Sequence, residues 1–178
     1  MTDLREVVED DRGLIKKIQL VIPGFRGYRQ KEDVRLADSL LRMQIADELK
    51  NKVLANLEQT REVAGRALEL DLMNDLAGTI SQAKTAEARI RHAEQGYTGI
   101  SPAYRVKKDN LDQLYEFDLD LVNGIRGIGD IAMKAYSSAQ IGDFNSCASN
   151  LREVKAGLIE FSGVFDKRIE TMANLGAI

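Results

Sequence analysis

Two short loops carry the residue types best suited to chemistry or recognition. The first reads Gly24-Phe25-Arg26-Gly27-Tyr28 and the second Gly96-Tyr97-Thr98-Gly99-Ile100, each of the form glycine, aromatic, any residue, glycine, apolar or aromatic, and each just before a long helical pattern. Glycines so placed supply positive φ or a close backbone approach, and the rings can fill the end of a helical bundle. A second reading starts from Arg26, Arg29 and Lys31, which surround the predicted start of a helix whose unpaired amide groups already favour an anion. With Tyr28 and Tyr97 these bases form a candidate site for an anionic ligand or an acidic protein partner. The loop is not a Walker loop, since no Gly-x-x-x-x-Gly-Lys-Ser/Thr occurs, and not a dinucleotide fingerprint, since no strand precedes it.

Asp118 is the other residue that stands out. It lies four positions after Leu114 and seven after Leu111, four before Val122 and seven before Ile125, so its carboxylate falls on an apolar seam. An unpaired buried carboxylate costs several kcal/mol, so a tyrosine, an arginine or a backbone amide should meet it. Tyr28, Tyr97, Arg89 and Arg91 are the candidates for a structural clamp between the loops and this helix. His92 is the single histidine and has Glu87 five residues before it, not three, so a di-iron pattern with Glu-x-x-His on two helices cannot form, and zinc would find one cysteine and one histidine. No metal and no cofactor are expected. Cys147 falls on a helical seam as a small buried apolar residue, and no serine sits in a nucleophile elbow. Gly124, Gly127 and Gly129 lie mid-helix, where they permit a close helix neighbour or a kink.

These residues need elements to position them. The chain has 178 residues, 44% hydrophobic and 30% charged, with two prolines, 14 glycines and no tryptophan, which suits long helices and excludes the frequent turns of a β-sandwich. The spacing predicts one all-α domain over residues 1–178: an antiparallel bundle of four long helices plus a short amino-terminal helix, spanning about 4–21, 29–64, 71–95, 103–138 and 144–175. Leu41, Ile45, Leu49, Val53 and Leu57 mark the second helix, and Gly65 to Asp71 marks a reversal. Cys147, Leu151, Val154, Leu158, Phe161, Phe165 and Met172 form the clearest seam. A reversal near 65–71 brings the loops at 23–28 and 96–102, with Pro23 and Pro102, to one end.

Residues 12–35 hold seven bases against two acids, +5, in a chain of net charge −3. A pI near 5.3 opposes general nucleic-acid binding and leaves a local anion site, or a ribosomal particle, as the nucleic-acid option. Residues 1–11 carry five acids and one base, which predicts no secretory or mitochondrial signal and a cytoplasmic location. The single cysteine forms no internal disulfide. No apolar run reaches the eighteen or so residues of a membrane span. The short first helix can pack on its own bundle or on a second copy.

Ile22-Pro-Gly-Phe-Arg-Gly-Tyr-Arg-Gln-Lys-Glu-Asp33, Gln95-Gly-Tyr-Thr-Gly-Ile100 and Leu114-Tyr-Glu-Phe-Asp118 resemble a family of uncharacterised prokaryotic helical proteins with the same three motifs in order. The resemblance covers most of the chain and implies a helical fold without an established activity. The second loop departs from the family form, having Ile100-Ser101-Pro102 where an aromatic pair is expected. These observations predict a non-enzymatic interaction or scaffold protein that binds a protein partner through the loop end. The alternatives are a peripheral membrane- or ribosome-associated stress factor using residues 12–35, and an enzyme with an unfamiliar site near Asp118.

Overall fold

The computed structural model describes residues 31–93 and 108–174 together with Lys16, and for 31–37, 108–114 and 173–174 it describes the backbone alone. The predicted helix at 4–21, apart from the helical Lys16, and the loops at 23–28 and 96–102 lie outside the described residues. The chain is all-α, with no strand among the described residues. Helix α1 spans Lys31–Glu48, a π-helical segment Leu49–Leu54 follows, and α2 continues over Ala55–Arg66. Helix α3 spans Leu70–His92, α4 Lys108–Gln140 and α5 Phe144–Asn174.

The π segment was absent from the sequence expectation, which has one α-helix over 29–64, and the side-chain spacing supplies its physical reason. Leu41, Ile45, Leu49, Val53 and Leu57 recur at strict four-residue steps, and all are at most 1% exposed. With 3.6 residues per turn, each such step drifts about 40° around an α-helix, which would carry the stripe off the core within a few turns. A wider turn with i→i+5 bonding, seen where Ala55 N–H donates to the Lys50 carbonyl, takes up the drift. Asn56 Nδ2 donates to the Lys52 carbonyl at 2.5 Å and Thr60 Oγ1 to the Asn56 carbonyl at 2.7 Å beside this irregularity. The segment also approaches α4 closely, because a Cβ on Gly129 would lie 3.1 Å from Lys52 Cβ.

Contacts fix the helix directions. Arg42 meets the Ile90 carbonyl, Asp47 meets Arg91 and Glu58 meets Lys84, so α3 runs back along the α1–α2 rod. Asp118 meets Arg168 and Ser138 meets Asn150, so α5 runs back along α4. On α5, Gly157 is required by Ile128, whose Cγ1 would stand 2.9 Å from an added Cβ. The starts of α1 and α4 and the ends of α3 and α5 therefore share one end of the molecule, and both tight turns occupy the other. A single apolar core, from Leu41 and Ile90 at one end to Ala64 and Cys147 towards the other, joins all the helices.

Both tight turns close by the same hydrogen-bond pattern. Glu69 N–H donates to the Ala64 carbonyl and Leu68 N–H to that of Gly65; Asp143 N–H donates to the Ser138 carbonyl and Gly142 N–H to that of Ala139. Each pair of bonds is a Schellman motif, which needs a left-handed residue at its centre. The second turn places Gly142 there at φ 77°, whereas the first uses Leu68 at φ 61° with 78% of its surface exposed. Asp143 then caps α5, its Oδ1 accepting from Ser146 N–H at 3.0 Å, and hydrogen bonding from Ser146 holds its carboxyl below the usual aspartate range. A left-handed L-residue costs roughly 1–2 kcal/mol, against about 0.5–1 kcal/mol of extra chain entropy for glycine. Leu68→Gly is therefore expected to stabilise the fold by about 0.5–1 kcal/mol, seen as a melting temperature higher by a few degrees; an unchanged or lower melting temperature would contradict the assignment of strain to this turn.

Candidate functional site: a buried charge network

The seam of α5 contains a position that its apolar residues skip. Between Phe165 and Met172, three residues after the first and four before the second, stands Arg168, and it is 1% exposed. Its Nε donates to Asp118 Oδ1 at 2.5 Å and its Nη1 to Asp38 Oδ1 at 2.6 Å, with Met172 Sδ 2.9 Å from Nη1. Asp38 turns its second oxygen to Arg42, whose Nε donates to Oδ2 at 2.8 Å while its Nη1 donates to the Ile90 carbonyl at 3.2 Å. Asp38 and Arg42 are 2% and 3% exposed and Asp118 is fully buried. Among the described residues, two carboxylates and two guanidiniums thus form one chain that touches α1, α3, α4 and α5.

Local sequence explains why each member faces inward. Asp38 stands three residues before Leu41 and seven before Ile45, Arg42 follows Asp38 by one helical turn, and Asp118 precedes Leu121 and Ile125 by three and seven; all four of these leucines and isoleucines are buried. Asp118 was legible from spacing as a buried acid needing a partner, and an arginine does meet it. That arginine is Arg168, not Arg89 or Arg91, the described candidates. Arg89 pairs with Asp166 at the surface and lies 5.9 Å from the Phe165 ring centroid; Arg91 bridges Asp47 at 2.8 Å and Glu87 at 2.6 Å. Asp38, Arg42 and Arg168 were missed, although each interrupts an apolar stripe at a core position.

Of the predicted recognition residues, Arg26, Tyr28, Arg29 and Tyr97 lie outside the described residues, and Lys31 opens α1, its side chain not described. The ends of α1, α3 and α4 to which the two loops attach are at the network end of the molecule. His92 is exposed as the last residue of α3. Among the described residues no three His, Cys, Asp or Glu side chains are grouped so as to hold a metal ion, and no helix is long and apolar enough to cross a membrane. Cys147 is fully buried on α5, and burial, with a smaller contribution from the Asp143 charge, pushes its thiol up to about 11. The mid-helix glycines divide: Gly129 serves the approach of the π segment, while a Cβ on Gly124 would make an ordinary 3.7 Å contact with Phe161 and one on Gly127 would meet nothing within 4 Å.

The network's geometry makes it a positioning device for the helix ends. Removing one member takes a charged partner from a buried charge, and breaking a buried ion pair typically costs about 3–5 kcal/mol. Arg168→Met is expected to destabilise by about that amount in urea titrations, and the double variant Arg168→Met/Asp118→Leu by less than the sum of the single changes, since it strands fewer charges. Strictly additive effects would show that the pair is not coupled. Native Cys147 is expected to alkylate at pH 8 at least about 100-fold more slowly than in urea-unfolded protein, from the thiolate fraction alone; equal rates would contradict its burial. No protein-family model, no curated protein and no solved structure matches the chain.

Proposed function

We propose that the chain is a non-enzymatic interaction or scaffold protein, an antiparallel bundle of four long helices with a short amino-terminal helix, that binds an acidic protein partner through its loop end. The observation that carries this reading is the buried network Arg42–Asp38–Arg168–Asp118, which ties together the helix ends beside both glycine-aromatic loops. Recognition loops work best on a rigid base, because ordering them at the moment of binding costs affinity. Arg26, Tyr28, Arg29 and Tyr97 supply the arginine and tyrosine types that dominate binding energy at protein interfaces, and Lys31 adds a positive charge beside them. The +5 charge of residues 12–35 in a chain of net −3 selects an acidic surface. Membership of the prokaryotic helical family suggested by the three motifs, and a cytoplasmic location with Cys147 kept as a thiol, belong to the same reading.

The same basic segment favours a second reading, a peripheral factor on anionic membranes or ribosomal particles. Affinity capture from the native cell, compared between the natural chain and Arg26→Ala/Tyr28→Ala/Arg29→Ala, separates the two. A defined protein retained by the natural chain and lost at least tenfold in the triple variant, with unchanged helical content and melting, is the expected result. Salt-sensitive sedimentation with anionic vesicles or ribosomes, and no discrete protein, would replace the first reading with the second. Capture insensitive to the three substitutions would remove the loop end from both.

A further inference from the structure

A groove of about 450 Å³ runs between α4 and α5 on a face separate from the loop end. Ile128, Ile131, Phe161 and Val164 give it an apolar lining, and both charged side chains that border it, Asp120 and Glu160, are carboxylates. Gly124 and Gly127 open its α4 wall, and neither is required by any packing described above, since a Cβ at the first makes ordinary contact and at the second meets nothing. Glycine inside a helix is destabilising relative to alanine, so two of them beside an apolar groove call for something that approaches the backbone closely.

We infer that this groove receives the chain's own amino-terminal segment, residues 4–21, docked as a basic amphipathic helix. Val7, Leu14 and Ile18 fall on one face of that segment at seven- and four-residue steps, and Arg12, Lys16 and Lys17 supply the charge complementary to Asp120 and Glu160. Lys16, the one described residue of the segment, is helical and exposed. Reach is sufficient. The segment must leave the start of α1, which lies at the same end as Asp118, and Asp120 at the upper edge of the groove is two residues from that carboxylate. Residues 22–30 can span up to about 30 Å when extended, and the groove from Asp120 to Ile131 is about 16 Å long, shorter than the roughly 27 Å of an 18-residue helix. Docking would hold part of the basic stretch against the body of the protein, with Arg26, Arg29 and Lys31 left at the loop end.

The test is trypsin cleavage after Arg12, Lys16 and Lys17 in the full chain, followed by mass spectrometry. Gly127→Arg puts bulk and like charge into the groove at a position with open space, and Glu160→Lys reverses one carboxylate without adding to the groove wall. Both variants, with melting shown to be unchanged, are expected to be cut at these sites at least tenfold faster than the natural chain. Gly163→Arg, an exposed α5 position with open space outside the groove lining, is expected to leave the rate unchanged. Equal cleavage in the natural chain and both groove variants overturns the inference, whether the sites are fast or protected throughout. Protection that grows with protein concentration overturns it in favour of a second copy's segment. None of these outcomes decides the loop-end reading, whose own test substitutes Arg26, Tyr28 and Arg29.

Discussion

The Arg168 guanidinium, held between the carboxylates of Asp38 and Asp118, is the constraint on which the helix arrangement depends. Apolar burial drives the helices together, but leucine and isoleucine stripes tolerate sliding by a turn at modest loss, whereas a planar guanidinium meeting two carboxylates at hydrogen-bond distance does not. A shift of one helical turn, 5.4 Å or so, would strand charges in the core. Buried ion pairs often contribute little net stability compared with an apolar replacement, so the value of this one lies in selecting a single register. Arg42 extends the selection to α3 through a backbone carbonyl, an acceptor whose position depends on the fold of the helix and not on a side-chain rotamer.

Much of this architecture was legible in one dimension. The residues assigned to the seam of α5, from Cys147 to Met172, are all buried, because a 3.6-residue period converts spacing directly into a face. Asp118 was legible for the same reason, as a charge at an apolar step. Its partner was not. A seam traced through apolar residues passes over Arg168 between Phe165 and Met172, and pairing between residues fifty or more apart leaves no trace in local spacing. The π segment was in principle readable from the unbroken four-residue steps of Leu41 to Leu57, since a period of 4.0 cannot stay on one face of a 3.6-residue helix.

Glycine illustrates the other limit of sequence reading. Gly124, Gly127 and Gly129 form one cluster in the sequence, yet each stands in a different environment: against Phe161, against open space, and against Lys52. What distinguishes them is the distance to a neighbouring element, which depends on how far the π turn and α5 approach α4. The same holds for the two reversals, where one turn uses the residue that left-handed backbone favours and the other carries an exposed leucine.

The two three-residue turns have a mechanical consequence. Closed by Schellman bonds, they leave no slack, so any splaying within either hairpin must pivot there, at the end opposite the charge network. Each helix is then a lever of roughly 30–40 Å between pivot and network. A rotation of only about 5° at a turn displaces the far end by about 3 Å, enough to break the hydrogen bond from Arg168 to a carboxylate on a neighbouring helix. The network therefore acts where leverage is greatest, and a ligand pulling on the loop end would work against the ion pairs long before it disturbed the apolar core beside the turns.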